Sequence, residues 1–203
     1  MYGNYEKTLS KKGFTLVEII IVVPLVAIII LIAYNMIFMI NKSYKNVNDS
    51  FDVSEKLRIF QINIQKEANA AKKAEETKEV LHKASDNELY IYTDIDNDNK
   101  PELIIYKLND KKLYKFIKKA SNDKYPYEYN YESADYSNSK VVLKNVKNEN
   151  LFGEIEVVRV QKSEQEEKDN RRKIKINIEI DTTDDKTINL ENYLVTKSRA
   201  AAD

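Results

Sequence analysis

Residues 14–40 read Phe-Thr-Leu-Val-Glu-Ile-Ile-Ile-Val-Val-Pro-Leu-Val-Ala-Ile-Ile-Ile-Leu-Ile-Ala-Tyr-Asn-Met-Ile-Phe-Met-Ile, 27 residues in which Glu18 is the only charge. As an α-helix this run would be about 40 Å long against a hydrocarbon core of about 30 Å, so it can span a membrane with length to spare. It is too long for the roughly 7–15-residue apolar segment of a cleaved secretory signal, and no small-x-small cleavage site follows it. Lys7, Lys11 and Lys12 precede the run, whereas Lys42 and Lys45 follow it and are soon joined by Asp49 and Asp52. That bias predicts a single-pass cell-membrane protein with its short N-terminal segment in the cytoplasm and the long C-terminal part outside.

Outside this run the chain is polar. Its 203 residues hold 33 basic and 33 acidic side chains, one His, no Cys, three Gly and three Pro, a length that suggests one globular domain plus an appendage. The absence of Cys excludes a disulfide framework, a thiolate metal site and a cysteine nucleophile. With His82 as the single imidazole, zinc hydrolysis and His-based acid–base chemistry are not expected. The balanced charge gives no electrostatic footprint for nucleic acid, which calls for a clearly basic face. No nucleophile, base and orienting partner can be assembled, so the expected protein is not an enzyme.

Two details at the edge of the apolar run narrow the reading from a plain signal anchor. The pair Lys11-Lys12 is followed at once by Gly13 and Phe14-Thr15-Leu16-Val17-Glu18. Glu18 stands inside the run, where a charge costs about 2.5–3.5 kcal/mol at mid-membrane and less near the interface. Cleavage between Gly13 and Phe14 would create a partner for it, because the new α-amino group of Phe14 lies one helical turn away. In a packed array of such helices, the amine of one subunit can meet the Glu18 of the next and neutralise both.

From Lys11 to Glu18 the sequence resembles the type IV pilin and pseudopilin superfamily, whose precursors carry a short basic leader ending in Gly before a Phe-Thr-Leu-Val-Glu start. The resemblance covers about the first 30 residues. It implies a prepilin peptidase that cuts after Gly13, N-methylation of Phe14, and an assembly role for Glu18. It further implies partnership with other pilin or pseudopilin subunits, an inner-membrane assembly platform and the lipid bilayer, and passage from the membrane into a surface filament. One departure is the helix proline, which many major pilins carry where this chain has Asn35 and which stands here at Pro24. A proline inside a helix removes a hydrogen bond and kinks it, so the expected bend is displaced.

Beyond the membrane run, Val47, Phe51, Ser54, Leu57, Phe60, Ile64, Ala68 and Ala71 recur at spacings of three and four, which predicts a narrow amphipathic stripe on a helix continuing without a break. Residues 72–83 either extend this helix or form a linker, and His82 reads there as a solvated side chain. From Glu88 the period changes to two. Residues 89–93, 103–108 and 112–117 read as a three-stranded meander, with Asn109-Asp110 as a tight turn. Further strands are expected at 141–146, 155–160, 173–180 and 187–194, with polar connections at 161–172 and 181–186 and a frayed end at 198–203. The organisation is thus a leader (1–13), a transmembrane and filament-core helix (14–40), an extracellular amphipathic helix (41–80) and a β-rich head (81–203). The fold class is α+β, a long N-terminal helix packed on an antiparallel sheet.

Three constellations in the head could carry chemistry. Asp94, Asp96 and Asp98 alternate through the run to Glu102 as ligands do in a calcium loop, although an EF-hand would want Gly where Asn99 stands and Glu where Ile105 stands. The alternative is a plain hairpin rich in turn formers, with no cofactor. Tyr125, Tyr127, Tyr129 and Tyr131 follow strict period two, giving either an amphipathic binding surface for sugars or proteins or a row packed over the sheet. Arg159 with Arg171-Arg172-Lys173 is a basic cluster that could touch phosphates. Glu164, Glu166, Glu167 and Asp169 in the same stretch favour a solvated mixed-charge loop.

The expected function is a minor pilin or pseudopilin, a structural subunit of a type IV pilus or type II secretion-like filament. The minor class follows from a large, charged head without loop-stapling cysteines. The alternative is a signal-anchored extracellular binding or adhesion module, calcium-dependent through the Asp94 loop; a membrane-tethered hydrolase using carboxylates ranks third.

Overall fold

The computed structural model describes residues 13–76, 79–131, 136–160, 169–182 and 186–196. The expectations for Lys7, Lys11 and Lys12, for Glu164, Glu166 and Glu167, and for residues 198–203 lie outside the described residues. The chain divides into two units at Val47/Asn48.

Helix α1 runs Leu16–Asn69, with Pro24 inside it. Among the described residues it is the one helix long and apolar enough to cross a membrane. In the first unit every described residue from Gly13 to Tyr44 is exposed, as expected for a surface whose solvent is lipid or neighbouring helices rather than its own chain.

The second unit contains the end of α1 and eight strands among the described residues: β1 (Leu81–Ser85), β2 (Glu88–Thr93), β3 (Glu102–Asn109), β4 (Lys112–Lys118), β5 (Lys140–Lys144), β6 (Phe152–Val160), β7 (Asp169–Asp181) and β8 (Thr187–Val195). They form two antiparallel sheets, β1-β2-β3-β4-β5 and β6-β7-β8. This is the expected α+β class, with two sheets where the sequence suggested one. The β3–β4 hairpin turns through Asp110 and Lys111 at φ 46° and 56°, the pair of left-handed residues that a two-residue hairpin requires. The predicted turn therefore stands, shifted by one residue.

Helix α1 closes at Asn69 instead of running to residue 80. Ala71 then bridges to Thr93, the Lys72 N–H donates to the Tyr92 carbonyl at 2.9 Å, and the chain enters β1 at Leu81. His82 is consequently not a solvated linker residue. It is half-buried in β1, with its ring 5.8 Å from Tyr90.

The larger core lies between the α1 stripe and the sheets. Leu57, Phe60, Ile64 and Ala68 bury against Leu89 and Ile91 of β2, Ile104 and Tyr106 of β3, and the period-two row Ile174, Ile176, Ile178 and Ile180 of β7. Polar ties cross this layer too: Glu67 accepts from the Tyr106 hydroxyl at 2.7 Å and from Lys115 Nζ at 2.5 Å, and Gln65 Nε2 donates to the Val195 carbonyl at 3.0 Å. Val47 and Phe51, which belong to the same predicted stripe, are exposed.

Strands β2–β4 are apolar on both faces, so the second face also needs a cover. A smaller core holds Tyr92, Leu103, Ile105, Phe116 and Tyr129, with Tyr90, Tyr114, Tyr127, Tyr131 and Tyr136 packed around it. A pH dependence follows from these buried phenols. Burial, then the charge of Glu67 and the bond donated to it, push Tyr106 far above the ordinary tyrosine value. Burial, then the charge of Glu88 and the bond to it, push Tyr90 up to about 12. The unfolded chain releases these protons from about pH 10 while the folded chain holds them, so stability is intact below pH 10 and falls as pH rises. Denaturant midpoints at pH 9 and pH 11 are expected to drop, with Tyr106 alone contributing a slope of up to about 1.4 kcal/mol per pH unit. The drop should be shallower in Tyr106→Phe; an equal slope in the variant would contradict this.

Candidate functional site

The start of α1 is built by Thr15 and Glu18. Helix α1 begins at Leu16, which makes Thr15 the N-cap residue and Glu18 the third helical residue. The Glu18 Oε2 atom accepts from the Thr15 N–H at 2.8 Å and the Thr15 hydroxyl at 2.9 Å, and the Glu18 N–H donates to Thr15 Oγ1 at 3.4 Å. This is a reciprocal capping box, which satisfies donors that have no partner inside the helix. Thr-Leu-Val-Glu carries that signature in plain view, and the reading of Glu18 as an assembly residue alone passed over it. A carboxylate here also faces the positive end of the helix dipole. Because it has about four lone-pair positions, the carboxylate can cap its own helix and still receive an ammonium group.

Immediately before the cap, Phe14 is 83% exposed, and, chain neighbours aside, no atom of the described residues lies within 4 Å of where a side chain at Gly13 would begin. Among the described residues nothing crowds the Gly13–Phe14 junction. Gly13, Phe14 and Glu18 are brought together at one helix terminus.

The acidic hairpin between β2 and β3 is organised differently from the sequence expectation. Asp94 Oδ2 receives Lys72 Nζ at 2.6 Å and the Asn99 N–H at 3.1 Å. Asp96 pairs with Lys119 at 2.9 Å, and Glu102 Oε2 accepts the Ile95 N–H at 2.8 Å. Asp94, Asp96 and Glu102 each present an oxygen within 4.8 Å of the others. Asp98 is not one of them; its Oδ1 accepts the Lys100 N–H at 2.8 Å. The triad is thus Asp94, Asp96 and Glu102, with Glu102 in place of the expected Asp98. Glu102 falls on the every-second-residue alternation, three residues before Ile105, where an EF-hand has its Glu. Asn99, where that template has Gly, sits at φ 69°, the left-handed conformation that Asn tolerates better than most residues. Burial pushes the Asp94 carboxyl up, but the Lys72 ammonium and the Asn99 and Asn97 N–H groups outweigh it and hold it below the usual range. The Lys119 ammonium does the same for Asp96.

The tyrosine row is not a surface. Tyr129 is buried with its hydroxyl donating to the Pro101 carbonyl, and Tyr131 stacks on Tyr90 at 5.6 Å and shares a 2.8 Å hydrogen bond with Tyr92. Tyr127 is half-buried and its N–H donates to the Ala74 carbonyl at 2.8 Å. Tyr125 alone of the four is largely exposed. Of the two alternatives, a binding surface or a row packed over the sheet, Tyr127, Tyr129 and Tyr131 take the second and cover the other sheet face, which β2–β4 need because they are apolar on both sides. In the basic cluster, Arg172 forms a two-pronged pair with Glu79 at 2.6 and 3.2 Å, and Lys173 Nζ lies 3.9 Å from the Tyr193 ring centre.

Residues 9–34 match the family described as "Prokaryotic N-terminal methylation motif". No curated protein and no solved structure matches the chain.

Proposed function

We propose that this chain is the precursor of a minor pilin or pseudopilin, a structural subunit processed between Gly13 and Phe14 and assembled into a type IV pilus or type II secretion-like filament. The matched methylation motif supports a pilin-like precursor and points to a structural subunit, and the long apolar helix suits a membrane-anchored protein. The observation that carries the reading is the junction itself. Lys11-Lys12-Gly13 precedes an uncrowded junction, a capped helix start with a carboxylate, and an apolar run uncovered along its length.

In this reading prepilin peptidase removes the segment ending at Gly13 and methylates the Phe14 amine. The head faces outward while the helix is held first by the bilayer and then by neighbouring subunits, and Glu18 neutralises the Phe14 amine of an adjacent subunit. The charged, cysteine-free head supports the minor class. Gly13→Val tests the junction with little structural cost, since, chain neighbours aside, a side chain there meets no atom of the described residues within 4 Å. In cells with the peptidase, the variant should accumulate as membrane-bound precursor while the native chain is shortened. Equal processing of both would contradict the proposed cut.

A further inference from the structure

We propose that the β2–β3 hairpin is a calcium site, with Asp94, Asp96 and Glu102 as its carboxylate ligands. Calcium holds oxygens at about 2.3–2.6 Å, so two oxygens on opposite sides of one ion lie about 5 Å apart. The mutual separations within 4.8 Å of Asp94, Asp96 and Glu102 meet that requirement without rearranging the strands.

A second observation is independent of this clustering. The Asp94 side chain is only 4% exposed, yet among the described residues its Oδ1 has no hydrogen-bond partner. Buried polar atoms are almost always satisfied, and an orphaned carboxylate oxygen calls for an unrecorded water or ion. Lys72 engages the other oxygen, Oδ2, so an ion at Oδ1 does not have to displace it. The competing cation is Lys119 on Asp96, an exposed pair of small net worth that a divalent ion can replace. Water completes the six to eight ligands that calcium takes.

The location gives the ion a structural role. The hairpin holds the exit from α1 through Lys72 on Asp94, and Pro101, next to Glu102, receives the buried Tyr129 hydroxyl. Calcium would tie together the α1 exit, the hairpin and the aromatic cover. This site is independent of the filament reading and is read by binding alone.

The full chain in detergent micelles, stripped of metal, is titrated with calcium chloride by calorimetry, and its unfolding is followed by tyrosine circular dichroism. One saturable site is expected with Kd of about 10⁻⁴–10⁻³ M, the range of extracellular calcium modules. Saturating calcium should raise Tm by about 3 °C or more. Asp96→Asn, at an exposed position, should weaken binding at least about tenfold with the metal-free Tm unchanged. Lys119→Ala, which keeps all three carboxylates, should bind at least as tightly as the native chain. No saturable binding up to 10 mM calcium (about tenfold above the weak end of that range), equal affinity in Asp96→Asn, or weaker binding in Lys119→Ala would overturn the site.

Discussion

Glu18→Gln subunits are expected to reach the membrane normally and to be recovered from sheared filaments at least about a hundredfold less than native subunits, because breaking a buried ion pair costs about 3–5 kcal/mol. Glutamine can serve in a capping box as glutamate does, so this variant keeps the bond to Thr15 that starts α1 and loses only the charge. Removing a carboxylate from an apolar helix should leave insertion as good as native or better. Glu18→Ala loses both the charge and the cap, and its failure alone would not separate the two roles. Normal incorporation of Glu18→Gln with failure of Glu18→Ala would reduce Glu18 to a capping residue. A tip subunit lacks one neighbour and would retain part of its incorporation, so a partial loss locates the subunit at the tip.

Phe60→Ala is expected to lower the stability of the second unit by about 3–5 kcal/mol, the usual cost of emptying a buried aromatic site. Phe60 is 3% exposed and meets Tyr106 edge-on, with ring centres 5.6 Å apart at 86°. Loss of that size removes a third or more of the roughly 5–15 kcal/mol that holds a domain together. Phe51→Ala provides the contrast, because Phe51 is 67% exposed on the same helix and its removal should change stability by no more than about 0.5 kcal/mol. Denaturant midpoints read by the near-ultraviolet signal of the buried tyrosines measure both. Similar values for the two variants would contradict the assignment of the sheet-packed part of the stripe.

Local patterns carried most of the fold. The apolar run and the spacing of Leu57, Phe60, Ile64 and Ala68 predicted α1, and period-two rows such as Ile174 to Ile180 predicted β2 to β8 within a few residues. Strand β1 escaped because Leu-His-Lys-Ala-Ser has one strongly apolar residue and no alternation to detect. The division into two sheets was illegible because all strand pairs within each sheet join consecutive strands, and nothing in the local pattern marks β5 and β6 as the one consecutive pair that does not bond. Period two placed Tyr127, Tyr129 and Tyr131 together but not whether they met water or the sheet, and it did not extend to Tyr125, which is exposed. At the helix start the signal lay within Lys11 to Glu18 and could be read directly. In the acidic hairpin the convergence of Glu102 on Asp94 and Asp96 depends on how the chain turns through Asn97 and Asn99, both left-handed, which a template written for another loop did not anticipate.

The central claim is the cut between Gly13 and Phe14, and the most direct measurement is the intact mass and N-terminal fragmentation of protein recovered from cells that assemble such filaments. The expected product begins at Phe14 with one added methyl group. It has lost Lys7, Lys11, Lys12 and Glu6, so its side chains carry 30 basic against 32 acidic groups instead of 33 against 33. Recovery of only the chain beginning at Met1, or its initiator-trimmed form, would contradict the claim.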